Sequence, residues 1–233
     1  MTPPSSDTLP RRSWCRAILL ALALLGAAAT GQAQDEWRVR RDADGIEIAT
    51  RPVEGSPFHE VRGRMTLDAP VAAIVAALRD KTVAPQWIAY CAEASVLARP
   101  SETEALTYTW NDMPWPVRDR DIVMRVFWAR DAGTGVVRME AQAEADSAPP
   151  VEGRTRIEYV RTRWRLVPGA DGTVDAEFRT HVDPASRVPA WLSNALLGDA
   201  PFRSMQRLRE LLADGRYDEA RFAFLEETVA GSP

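Results

Sequence analysis

Two stretches of this chain alternate apolar and polar residues with a period of two. Val137, Met139, Ala141, Ala143 and Ala145 oppose Arg138, Glu140, Gln142 and Glu144, and Val174, Ala176, Phe178, Thr180 and Val182 oppose Asp175, Glu177, Arg179, His181 and Asp183. Successive side chains of a strand point to opposite sides, so each stretch has one dry face and one wet face. Phe58–Leu67 repeats the pattern, with His59, Val61, Gly63, Met65 and Leu67 on its dry face. Strands of this kind belong in an antiparallel sheet covered on one side only. The dry side then needs a cover.

The cover predicted from the sequence is the helical segment Pro189–Leu212. Trp191, Leu192, Ala195, Leu196, Phe202, Met205, Leu208 and Leu212 recur there at three- and four-residue spacing. Gly198 and Pro201 interrupt the segment, which predicts a break with Asp199 capping the second half. Trp37–Arg41 and Ile46–Arg51 read as a hairpin turned by Asp42-Ala43-Asp44-Gly45. Asp68 is placed to cap a helix starting near Pro70, striped by Val71, Ile74, Val75 and Leu78, and a second short helix is expected around Val83–Ile88. Further strands are expected at Ala94–Ala98, Ala105–Asn111, Asp121–Arg130, Val136–Ala145, Thr155–Val167 and Thr173–Asp183, and a last short helix at Asp218–Val229. The order predicts an α+β fold, a curved antiparallel sheet wrapped around a long C-terminal helix.

The first 33 residues read as a signal for export. Arg11, Arg12 and Arg16 precede the apolar run Ala17–Ala29, and Gly31-Gln32-Ala33 supplies small residues for cleavage. The domain expected to remain is 34–215, followed by a tail at 216–233. Removing residues 1–33 takes away three arginines and Asp7, which moves the formal charge from −4 to −6. An acidic chain without a basic run is poorly suited to nucleic acid. Cys91 alone survives processing, so no disulfide forms within the mature chain and stability rests on the core.

Several segments resemble the START (steroidogenic acute regulatory protein-related lipid-transfer) family. They are Asp44-Gly45-Ile46-Glu47-Ile48 with Arg51, Val61-Arg62-Gly63, Trp87, Trp115-Pro116-Val117-Arg118-Asp119-Arg120-Asp121, and Asp183-Pro184 leading to Pro189-Ala190-Trp191-Leu192-Ser193-Asn194. The likeness runs from about Trp37 to Leu212. It implies the helix-grip fold and an apolar cavity between sheet and C-terminal helix. It implies no catalytic centre, and binding of one sterol, phospholipid, fatty-acyl chain or similar apolar molecule. The long N-terminal helix of many relatives is absent, replaced by the export signal.

Candidate ligand contacts follow from the aromatic and apolar residues near the expected cavity. They are Tyr108, Trp110, Met113, Trp115, Trp191, Leu192, Leu196, Phe202 and Met205, with Trp128 and Trp164 fitting core packing equally well. Met113-Pro114-Trp115-Pro116 is an apolar loop between two strands, and the resemblance sets it across the cavity mouth from the C-terminal helix. Arg125 lies between Val123 and Phe127 on a strand whose two faces are both apolar. Pointing outward it is a surface charge; pointing inward it needs a partner or a ligand oxygen.

No GxSxG elbow, phosphate loop, HExxH or paired-cysteine spacing occurs. His59 reads as a rim residue, His181 as solvated, and Cys91 as a small buried hydrophobe. The expected role is therefore that of a periplasmic, non-enzymatic monomer that binds or transfers one apolar molecule, touches membranes transiently, and uses neither metal nor cofactor. Two other classes fit less well: an aromatase or cyclase of the same superfamily, and a module that uses the groove for a protein partner.

Overall fold

The computed structural model describes residues 36–115, 117–184 and 197–226. The strands are β1 (Arg38–Ala43), β2 (Ile46–Val53), β3 (Ser56–Leu67), β4 (Cys91–Ala98), β5 (Glu104–Asn111), β6 (Arg120–Arg130), β7 (Val137–Ala143), β8 (Thr155–Arg156), β9 (Tyr159–Pro168) and β10 (Val174–Asp183). The helices are α1 (Val71–Arg79), α2 (Ala84–Trp87) and α3 (Asp199–Leu212). Sheet order is β1-β2-β3-β10-β9-β7-β6-β5-β4, antiparallel throughout, with β8 alone pairing parallel on β6. β10 lies beside β3, so the last strand joins two blocks that are distant in sequence.

The β1–β2 turn takes Asp44 and Gly45 into the left-handed region (φ 54° and 71°), the backbone of a two-residue hairpin. In β3, Val61, Gly63, Met65 and Leu67 form the inner face as expected, and Arg64 and Thr66 are exposed. Gly63 pairs with Phe178, and a β-carbon there would overlap the Phe178 ring and the Met205 sulfur. The missing side chain lets α3 and β10 close on β3.

Helix α3 packs on β2, β3, α1 and α2. Its buried residues Phe202, Met205, Leu208, Leu211 and Leu212 keep the spacing of a single apolar stripe. Pro201 falls in the first turn, where its missing N–H has no intrahelical acceptor to lose. Neither aspartate caps as expected. The residue ahead of α1 is Pro70 and that ahead of α3 is Gly198, each without a side-chain cap bond. Asp199 instead meets Arg41 at 3.1 Å. The first half of the expected helix, 189–196, and the export signal, 1–33, lie outside the described residues.

Two expected elements are corrected. Thr155–Val167 is not one strand: β8 stops at Arg156 and β9 begins at Tyr159. The cause is Asp121, 1% exposed, whose carboxylate accepts from Arg156 Nε and Nη2 at 3.0 and 2.9 Å. A buried carboxylate needs that partner, and Arg156 is anchored further by the carbonyls of Ala145, Ala148 and Pro149. The described part of Asp218–Val229 is also not an α-helix but turns plus one 3₁₀ turn at Ala223–Leu225. This tail crosses the end of α1: Tyr217 Oη donates to Asp80 at 2.9 Å, and Glu102 accepts the Ala223 and Phe224 N–H groups at 3.0 Å each.

Candidate functional site

The dry face of the sheet is not filled along its whole length. A chamber of about 400 Å³ lies between α3, the two short helices and the inner faces of β5, β6, β7, β9 and β10. A second, of about 250 Å³, adjoins it toward the β5–β6 loop. Val61, Thr180, Val182, Leu197, Ala200 and Pro201 line both, so the two sit side by side along the N-terminal turn of α3. Volumes of this size fall in the range of small-molecule sites. Among the described residues no aspartate or glutamate lines either chamber.

The predicted contacts separate into four groups. Met205 lines the large chamber and Met113 the small one. Trp128 and Trp164, each 7% exposed, also line the large chamber. Phe202 is 1% exposed and lines neither chamber; it packs in the core under the Arg41 guanidinium, 3.6 Å from its ring centre. Trp115 is 93% exposed, projecting from the loop rather than into a chamber. Trp191, Leu192 and Leu196 lie outside the described residues.

Tyr108, Trp110 and Arg125 must be reassigned. The inner face of β5 is Ala105 and Thr107, which places Tyr108 and Trp110 outside. There Arg154 donates to Tyr108 Oη at 2.5 Å, stacks 3.9 Å over the Trp110 ring, and leaves Trp110 Nε1 donating to Asp119 at 2.9 Å. Bulky aromatics face outward here because a cation and a crossing loop cover them, and small residues face inward because the inside is hollow. Arg125 also points outward. Its guanidinium pairs with Glu144 and with Glu104 at 2.6 Å, bonds that hold it charged, while its neighbours Met124 and Val126 line the chamber.

The chamber walls carry few polar groups, and the hydroxyls of the large chamber are engaged within the wall. Thr162 and Thr180 hydroxyls meet at 2.8 Å, and Thr107 donates to the Met124 carbonyl at 3.3 Å. Ser204 donates to the Ala200 carbonyl at 2.9 Å and accepts the Ala89 N–H at 3.0 Å. Sequence reasoning missed the cations: Arg79, Lys81 and Arg99 line the large chamber and Arg120 the small one. Burial pushes the Lys81 ammonium down to about 8; Cys91 and the Asp80 carboxylate oppose that shift, and Arg99 and Arg79 add to it. His59 lines the small chamber, and burial followed by Arg40 and Arg38 lowers its pKa. Cys91 is buried, which raises its thiol, in keeping with a packing role. Among the described residues no group of histidines, cysteines and carboxylates is arranged to hold a metal ion.

A curved antiparallel sheet gripping a C-terminal helix is also the fold of the solved structures this chain resembles. The chain is 35% identical to a STAR-related lipid transfer protein from Xanthomonas axonopodis, whose solved fragment superposes with a TM-score of 0.72 over 77% of this chain and 99% of that one. Human StAR-related lipid transfer protein 5 shares the fold at 15% identity, with a TM-score of 0.69 over 87% of this chain and 96% of that one. "Uncharacterized protein PA1579" of Pseudomonas aeruginosa is 32% identical over 198 residues, 85% of this chain and 96% of that protein. The START domain profile matches residues 28–214. With fold and sequence in agreement over most of its length, the chain belongs to the START domain family.

Proposed function

We propose that this protein is an exported, non-enzymatic carrier that holds one lipid or similar apolar molecule in its joined chambers. The observation that carries the reading is the pair of adjoining hollows, about 400 and 250 Å³, on the dry face of the sheet. Apolar surface moved from water into such a space gains about 25 cal/mol per Å². That gain holds an alkyl or sterol body without any covalent step. The relatives named as lipid transfer proteins support the same reading. The Arg11–Ala33 layout assigns the work to the periplasm, with Gln34 as the first residue of the exported chain.

The entrance in this reading lies between the β5–β6 loop and the start of α3. Met113 and Val117 bound the small chamber on one side and Leu197, Ala200 and Pro201 on the other. Trp115, exposed at the loop tip, is an amphipathic side chain suited to dip into a membrane surface during exchange.

The test is saturable uptake of fluorescent fatty-acyl and sterol probes, displaced by lipid extracted from the native host. A carrier binds one probe per chain and releases every ligand with its mass unchanged. No saturable uptake from either probe class overturns the cavity reading. Release of a chemically altered ligand would point instead to cyclase-type chemistry.

A further inference from the structure

Charge is distributed unevenly between the chambers and the rest of the molecule. The chain has 33 acidic and 29 basic residues, yet among the described residues every formally charged side chain lining the large chamber is a cation: Arg79, Lys81 and Arg99. Lys81 is the one lysine in the sequence. Its ammonium donates to the Leu78 carbonyl at 3.1 Å and, among the described residues, pairs with no carboxylate. Arg79 and Lys81 lose hydration at one wall of an apolar space and are repelled there by each other and by the exposed Arg99, an arrangement that costs free energy unless something negative joins them.

The nearest acids are already engaged. Asp80 accepts from Thr82 at 2.6 Å and from Tyr217 at 2.9 Å. Glu102 is taken up by the two tail N–H groups. Beside the cations, two buried donors have no hydrogen-bond partner among the described residues: Arg79 Nη1 and Trp87 Nε1, Trp87 being 8% exposed and part of the chamber wall. The neutral wall hydroxyls are satisfied among themselves, so the polar capacity left over in the large chamber is donating and positive.

We propose that Arg79, Lys81 and Arg99 bind the anionic head of the ligand, a carboxylate or a phosphate, while its apolar body occupies the chamber. This rests on the carrier reading above and narrows its ligand class to anionic amphiphiles. Arg79 and Lys81 stand at the end of α1 under the C-terminal tail, whose Phe222 ring lies 4.6 Å from the Arg79 guanidinium. The tail therefore covers one side of the Arg79 guanidinium without lining the chamber itself. Arg120, alone in the small chamber, donates to the Arg118 carbonyl and belongs to a separate place on the wall.

The experiment compares ligands with one body and two heads. Oleate is set against oleyl alcohol, and phosphatidic acid against diacylglycerol of the same acyl chains, all displacing one fluorescent probe from the full exported chain. The charged member of at least one pair should bind at least tenfold tighter than its neutral partner. The pair with the larger ratio identifies carboxylate or phosphate as the head, and inorganic phosphate alone at millimolar concentration should displace nothing. In Lys81→Met combined with Arg99→Met that ratio should fall to about one while the neutral ligands bind as before. Arg99→Met by itself, at an exposed site, gives an intermediate ratio where the double variant fails to fold. Arg125→Met removes one charge from the outer face and should leave the ratio intact. Because Lys81 is the one lysine, ¹³C-methylation of amines gives it a resolved signal beside the N-terminus. A bound anion should raise its titration midpoint, and a neutral ligand should not. Equal affinity for charged and neutral partners in wild type would overturn the head site and leave the cavity reading standing. Loss of binding by both partners would remove the cavity reading itself.

Discussion

The two ends of the dry face follow opposite rules. Where β2 and β3 meet α1 and α3, Ile46, Ile48, Ile74, Phe202 and Leu208 are each 1% exposed or less, large side chains interlocked as in any close-packed interior. Across β5 to β7 the inner face carries Ala105, Thr107 and Ala141 with the thin side chains of Met124 and Met139, and α3 turns Ala200 and Ser204 toward them. The same sheet and the same helix are thus solid at one end and hollow at the other. Small residues on β5, β7 and the start of α3 leave space that the rings of Trp128 and Trp164 border without filling. The solid end holds the helix in place, so the hollow end carries the smaller share of the stability.

That contrast can be broken by mutation, most severely at the solid end. Phe202→Ala should lower unfolding free energy by about 3–5 kcal/mol in urea titrations, whereas Met124→Ala, facing the void, should cost about 1 kcal/mol. Equal losses would mean that the hollow end is packed in solution. Gly63→Ala should cost about 1–3 kcal/mol, because its β-carbon pushes Phe178 and Met205 off β3. Ala141→Phe should change stability by less than about 1 kcal/mol, since the ring enters space that is already empty, and should abolish probe uptake. A large loss of stability with uptake retained would contradict the placement of the chamber. The smallest effect is expected from Arg125→Met: probe affinity should stay at the wild-type value, since its partners Glu104 and Glu144 lie on the outer face.

The strand and helix order was largely legible from periodicity, because the wet faces of β7 and β10 are polar, and mostly charged, at every second residue. The solid end was legible for the same reason. The hollow end was not. A cavity reverses the usual inference from size: on β5 the large Tyr108 and Trp110 face outward under Arg154, while the small Ala105 and Thr107 face the ligand space. The signal was present in the alternation of Ala105, Thr107 and Thr109 against Leu106, Tyr108 and Trp110, but only knowledge of an empty interior tells the two faces apart. Arg125 had apolar neighbours on both faces, and what fixed its direction was Glu104 and Glu144, 21 and 19 residues away in sequence. The cation cluster was invisible for a related reason. Arg79 and Lys81 follow α1 and Arg99 follows β4, and only the closure of the sheet brings them to one wall.

The central claim is that the hollow end holds a single ligand. Native mass spectrometry of the protein purified from its native host, beside Ala141→Phe prepared in the same way, tests it most directly. The account predicts one apolar adduct per wild-type chain, released intact on activation, and none on the variant. Wild-type protein free of adduct that also takes up no lipid when incubated with vesicles, or an adduct carried equally by Ala141→Phe, would contradict it.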